Sequence, residues 1–208
     1  MRAIIERGLS ALGKVRRVFH SEADFQHALA WTIREQNPDY PIRLEVPLRS
    51  SANSHLDILI LSEKATALEL KYHKGALKTS VDDEKFDLRG TAPRDVARYG
   101  FLKDIERLER FVRDFSISSG FALMLTNDPR LWSDPEIGKR IDREFDLSEA
   151  RALNGHLNWA AHASPGSRVG GSEGIQLSRN YRCTWRPYSI VPNAKHGEFR
   201  YLLIQITR

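Results

Sequence analysis

Residues 56–72 read LDILILSEKATALELKY. Two β-like runs lie within this stretch, 56–61 and 66–72, separated by the polar turn Ser62, Glu63 and Lys64. In the second run Glu69 and Lys71 are two apart, so a pleated strand sends both side chains to one face and Leu68, Leu70 and Tyr72 to the other. In the first run Ile58 and Ile60 share a side and Asp57 takes the opposite one, which lets strand pairing bring Asp57 alongside Glu69. A lone strand-borne Glu-x-Lys is common surface alternation. Here the run is otherwise apolar and reads as a central strand, where charge is costly unless matched. Two carboxylates near a lysine predict a site for a hard cation such as Mg²⁺, which takes oxygen ligands and leaves positions for water and phosphate oxygens.

Upstream, residues 42–48 form a third β-like run, joined to the second through 49–54, so short connections predict a meander. Before it, Ser21 opens a helix. It is a capping serine, followed by the acids Glu22 and Asp24 in the first turn and by Phe25, Ala28, Leu29, Thr32 and Ile33 at helical spacing. Asn37-Pro38 stops that helix. Glu22 shares the stripe of Phe25, Leu29 and Ile33 at its solvent end. Two readings of Glu22 carry equal weight. It is either an inward acid whose partner is a metal, a metal-held water or Lys71, or a first-turn acid favoured by the helix dipole. Residues 1–20 carry Arg2, Arg7, Lys14, Arg16 and Arg17 and read as an amphipathic helix in preference to a flexible arm. Their longest apolar run is too short for a signal peptide.

Downstream, residues 75–90 are polar and charged with little periodicity and read as a loop or flap. Over 93–115, Val96, Phe101, Leu102, Ile105, Leu108, Val112 and Phe115 trace the stripe of a long helix, with Pro93 suited to its first turn. The pairs Glu106 with Arg110 and Glu109 with Arg113 look like ordinary helix support. Residues 121–125 read as a strand buried on both faces. Beyond Thr126 the pattern weakens, with a helical stretch over 135–145, a Gly/Ser loop over 165–174 and strands at 181–185 and 199–206. The expected fold class is α/β, with a mixed central sheet flanked by helices and extra C-terminal strands. The expectation is a single domain over 1–208, comprising an N-terminal piece (1–20), a core (21–127) and a C-terminal elaboration (128–208).

Thirty-two Lys and Arg against 27 Asp and Glu leave a net charge of +5, a bias toward polyanionic partners that a merely soluble basic surface explains equally well. The single cysteine, Cys183, excludes an internal disulfide and fits a reducing, cytoplasmic setting. No apolar stretch has the length of a membrane-spanning helix. Gly170-Gly171-x-x-Gly174 lacks the lysine and the preceding strand of a phosphate-binding loop, so a nucleotide-hydrolysing motor is excluded. His156, His162 and Cys183 are too scattered for a zinc site. Trp159, Trp185, Tyr181 and Tyr188 read as core rather than as base-stacking groups.

The order of elements, a helix with Glu22, a strand, a strand with Asp57, a strand with Glu69-Leu70-Lys71, a long helix and a strand, resembles the PD-(D/E)xK nuclease superfamily. That superfamily has a restriction endonuclease-like αβββαβ core and includes restriction endonucleases, exonucleases and junction resolvases. The resemblance covers residues 21 to 127. It implies that Asp57 is the acid of the second motif and that Glu69 and Lys71 are the acid and lysine of the third. Leu56 stands where the family's name puts proline, a departure that many members share. Glu22 resembles the helix acid that supplements the metal site. The implied activity is metal-dependent hydrolysis of phosphodiester bonds, most naturally in DNA. Asp57, Glu69, the Leu70 carbonyl and Glu22 would hold Mg²⁺, or Mn²⁺ in its place, and Lys71 would orient water or stabilise developing charge. Candidates for gripping nucleic acid are His73, Lys74, Lys78, Arg94, Arg98, Tyr99 and Lys103. Against the last of these, Lys103, Arg107 and Arg110 share a face interleaved with acids, which is usually solvated. Homodimers are common at this size because two strands need two cuts, and a partner protein is an alternative, but no residue marks an interface. The same fold serving as a non-catalytic binder of nucleic acid or protein is the competing reading.

Overall fold

Strand β3 (Ala65–His73) is buried along most of its length, as its apolar sequence requires. β2 (His55–Leu61) pairs antiparallel with it from Ile58↔Leu68 to Leu61↔Ala65, and β1 (Ile42–Pro47) pairs antiparallel with β2, giving the expected meander. Helix α3 (Arg94–Asp114) then provides the long crossover that a parallel neighbour demands, and β6 (Ile117–Thr126) lies parallel to β3. β10 (Glu198–Thr207) and β9 (Trp185–Ile190) extend the sheet antiparallel beyond β6, for an order β1-β2-β3-β6-β10-β9. The chain is thus α/β with a mixed central sheet. The structure, a computed structural model, describes residues 1–47, 55–90, 93–114, 117–133, 140–164, 168 and 173–208.

Strand alternation divides the interior into two cores. Leu68, Leu70 and Tyr72 of β3, with Ile58, Ile60, Phe121, Leu123 and Leu125, face helix α1 (Arg2–Val15) and helix α2 (Glu22–Gln36). Ala67, Ala122, Met124, Leu202 and Ile204 belong to the opposite core with Leu102, Ile105, Leu108 and Phe111 of α3. Glu69 and Lys71 keep step with Ala67 and so look toward α3. Full burial of one such leucine stabilises by about 1.5–3 kcal/mol. Ser21 caps α2 as expected, its hydroxyl accepting the Asp24 N–H at 3.1 Å, and Asn37 ends the helix. The helical reading of the N-terminus holds.

Other expectations need correction. Residues 75–90 are not a loop. They form a hairpin of β4 (Leu77–Val81) and β5 (Glu84–Leu88), turned by Asp82 and Asp83 at φ of 49° and 66°, the left-handed pair that a tight hairpin turn needs. No Asn-Gly or Asp-Gly signal marked it. Residues 181–185 are not one strand, because Tyr181 lies in β8 (Ile175–Arg182) and Trp185 begins β9. An unforeseen strand, β7 (Ala152–Leu157), pairs with β8. Of the helical stretch expected over 135–145, the described part holds only a single 3-10 turn, Arg143–Phe145. Residues 134–139 lie outside the described residues, as do 49–54, Phe115 and most of 165–174. The C-terminal elaboration supplies two strands of the main sheet. Among the described residues no helix is long and apolar enough to cross a membrane.

Candidate functional site

β2 and β3 part company beyond Ile58 and Leu68, and the polar cluster sits in that opening. Two N–H groups of β3 past the end of the ladder are taken by carboxylates. Leu70 N–H donates to Asp57 Oδ2 at 2.6 Å, and Tyr72 N–H donates to Glu22 Oε2 at 2.7 Å. Asp57 and Glu22 therefore act as side-chain replacements for a missing strand partner. Across from Asp57, between the pairs Leu44↔Ile58 and Val46↔Leu56, Glu45 adopts φ of +50° in mid-strand, a strained conformation for a residue with a side chain. Gln26 of α2 holds both sides of this kink, donating to Glu45 Oε1 at 2.7 Å and to the Asp57 carbonyl at 2.8 Å.

Helix α3 completes the cluster. Lys71 Nζ lies 3.1 Å from Asp104 Oδ2, and Arg107 Nη2 lies 2.5 Å from Glu69 Oε2 and 3.0 Å from Asp104 Oδ1. Glu69 is 1% exposed, and neither of its oxygens accepts a well-formed hydrogen bond despite the nearness of Arg107. Burial pushes its carboxyl up to about 9, outweighing the Arg107 charge. Burial likewise raises Asp57 against the pull of the Leu70 N–H and Lys71, and raises Asp104 against Lys71 and Arg107. For Lys71 burial works to strip the proton, yet Asp104, Glu22 and Asp57 together hold the ammonium above its ordinary value. Lys71 is thus a standing cation and not a base at neutral pH.

Sequence reading brought together Glu22, Asp57, Glu69 and Lys71, and the fold does gather these four. It missed Asp104, Gln26 and Glu45, and it set Arg107 on a solvated face. Asp104 and Arg107 are three apart on the inner side of α3, interleaved with Phe101, Leu102, Ile105 and Leu108, and that placement was the available signal. The supposed support pairs are also redirected. Glu106 accepts from Lys103 and from the Gln176 N–H, while buried Glu109 accepts from Ser178 N–H, Arg179 N–H and Tyr181 hydroxyl.

Several residues expected to grip nucleic acid are built into the interior. Arg98, 2% exposed, donates to Asp142 at 2.8 Å and to the Arg130 carbonyl at 2.7 Å. Tyr99 stacks on Trp159 and bonds to the Glu173 carbonyl. His73 is buried 3.6 Å from Asp128, and it and Arg94 overcome the cost of burial to hold that carboxyl well below the usual range. These three are positioning and packing groups, because a polyanion has little of their surface to touch. Lys74 donates to the His20 carbonyl and lies over the Tyr72 ring, Lys103 pairs with Glu106, and Arg94 pairs with Asp128 while staying partly exposed. Lys78 stands exposed on β4. Trp159, Trp185 and Tyr181 are buried and Tyr188 partly so, as core residues should be.

Four carboxyl groups (Glu22, Asp57, Glu69, Asp104) meet two cations (Lys71, Arg107), too few to hold all four ionised in a buried cluster; with all four ionised, the remaining charge is what a divalent cation would match. Oxygen donors on a partly open, lysine-bearing cluster are the chemistry Mg²⁺ or Mn²⁺ takes. As the side chains stand, no three His, Cys, Asp or Glu groups among the described residues are gathered closely enough to hold a metal. The Leu70 N–H, the Tyr72 N–H and Arg107 occupy the carboxylates, so loading would require those contacts to yield. Comparison with family models, curated proteins and solved structures finds no match to this chain.

Proposed function

We propose that this chain is a magnesium- or manganese-dependent nuclease that hydrolyses phosphodiester bonds, most naturally in DNA, on a restriction endonuclease-like version of its α/β plan. One observation carries the reading. Asp57, Glu69 and Lys71 converge at the splayed end of β2 and β3 among more carboxyl groups than the protein's own cations can keep ionised. The order α2, β1, β2, β3, α3, β6, with the β4–β5 hairpin inserted before α3, supports the same assignment. A reducing, cytoplasmic setting fits the one cysteine, and Cys183 is buried.

Asp57, Glu69 and the Leu70 carbonyl would hold the cation, with Glu22 assisting. When bound, it supplies charge to neutralise the scissile phosphate and to acidify a water. Lys71 contributes a fixed positive charge toward the phosphate and orients the attacking water. Asp104 keeps Lys71 charged and in place, and Arg107 holds Glu69 until a ligand competes for it.

A specific observation favours the non-catalytic alternative. Asp57, Glu22 and Lys71 already have partners within the chain, so the cluster is self-consistent as a scaffold. The decisive experiment incubates the protein with supercoiled plasmid, linear duplex, single-stranded DNA and RNA in Mg²⁺, Mn²⁺ or EDTA, with Lys71→Ala in parallel. Metal-dependent cleavage lost in the variant establishes the nuclease and its substrate. Intact substrates throughout, together with no Mn²⁺ binding by calorimetry, leave a binding protein.

A further inference from the structure

On the α3 side of the sheet, a hollow of about 300 Å³ is lined by Arg94, Arg98, Arg130 and Arg140 with Asp95 and Asp142. Its charges are layered. Asp128, Asp142 and Asp146 lie buried, each against an arginine: Arg94 on Asp128 at 2.6 Å, Arg98 on Asp142 at 2.8 Å and Arg140 on Asp146 at 2.9 Å. The Arg94 side chain retains 40% exposure against 8% for its Asp128 partner, so the cationic end reaches the opening and the carboxylate does not. Arg130 is exposed and makes no ion pair among the described residues, while its backbone is pinned through the Arg98 guanidinium and Asp128. Arg98 lies beneath the hollow and anchors the Arg130 backbone, while Arg94, fixed by Asp128 yet partly exposed, and Arg130 present guanidiniums at the opening suited to the tetrahedral oxygens of a phosphate.

The hollow's position relates it to the cluster. Arg94 and Asp104 lie on one helix ten residues apart, about 15 Å at 1.5 Å per residue. His73, which contacts the same Asp128 as Arg94, is two residues beyond Lys71 on β3, about 7 Å further along the same face. At 3.4 Å of axial rise per nucleotide, these spans of about 7 to 15 Å correspond to about two to four nucleotides of a duplex strand. We propose that this arginine-lined hollow seats a backbone phosphate of a polynucleotide, a few nucleotides from the bond positioned at Asp57, Glu69 and Lys71. The proposal rests on the nuclease reading and supplies its substrate grip, with Arg130 the residue that meets the phosphate directly.

The test measures binding of a fluorescein-labelled duplex oligonucleotide by anisotropy in EDTA, where no cleavage occurs, across a range of salt concentrations. Wild type, Arg130→Gln and Arg34→Gln are compared, the last removing the same charge from an exposed position on α2. The expected result is several-fold weaker binding by R130Q with a log–log salt slope smaller by about one, and R34Q matching wild type. Identical slopes for R130Q and R34Q while wild type binds and cleaves overturn the hollow and leave the nuclease standing. Failure of wild type to bind any oligonucleotide overturns both.

Discussion

Arg107 Nη2 stands 2.5 Å from Glu69 Oε2, yet the carboxyl keeps its proton up to about 9. Burial is the largest cause, and the charges of Asp104 and Asp57 add to it, while the one guanidinium that opposes them is shared with Asp104. The cluster is short of positive charge, and the following expectations draw on that shortage or on the contacts that surround it.

Glu69→Gln keeps the shape and removes the titrating proton. In the unfolded chain Glu69 releases its proton in the ordinary carboxylate range, and in the fold only near 9, so the native state binds more protons across that window. Its contribution to stability is therefore complete in acid and declines as pH rises toward 9. Urea midpoints measured from mildly acidic to mildly alkaline pH should fall for wild type and flatten for E69Q, and parallel profiles would remove Glu69 as the cause.

A divalent cation should stabilise the protein. At a free Mn²⁺ concentration about a hundred times its Kd, the gain is about 2.7 kcal/mol, seen as a higher thermal midpoint in Mn²⁺ than in EDTA. Asp57→Asn should lose most of that shift. An equal shift in the variant places the ion elsewhere.

Asp104→Ala leaves Lys71 and Arg107 facing each other without the carboxylate between them. Removing one partner from a buried ion pair costs about 3–5 kcal/mol. Chemical denaturation should show a loss of that order, with a smaller one for Asp104→Asn, and cleavage should drop in both. Full cleavage by D104N would confine Asp104 to a structural part.

Arg98 was expected at a nucleic-acid surface and is instead bonded to Asp142 in the interior. Arg98→Ala should lower stability by about 3–5 kcal/mol in urea. A change below about 0.5 kcal/mol, typical of surface substitutions, would return Arg98 to the exterior.

Sequence reading reached the meander, α2, α3 and β6 because each is decided locally. Ser21, Asn37 and the alternation of 66–72 carry their own physics, independent of what packs on them. It also reached the four groups at the opening of β2 and β3, since a two-residue period and a short turn leave little freedom in where Asp57 and Glu69 meet. It failed where a tertiary partner decides. Arg107 stands nearer the apolar stripe of α3 than Arg110 does, but only the fold shows that Glu69 and Asp104 draw it into the cluster. Arg98 looks like any helical arginine until Asp142, forty-four residues later, folds beneath it. The hairpin of 77–88 escaped because its turn uses Asp82-Asp83 in place of a glycine.

The pairing of β6 with β10 has a consequence in time. β3 finds β6 after a hairpin and one helix, but the far edge of β6 waits for Glu198–Thr207, which emerge from the ribosome long after Thr126. Until then a strand apolar on both faces offers an open row of N–H and C=O groups to any neighbour. Because domains assemble as their strands become available during synthesis, the nascent chain passes through a sticky interval that ends only when β10 docks. The docking of β10 is therefore the step that closes the sheet against pairing with another chain.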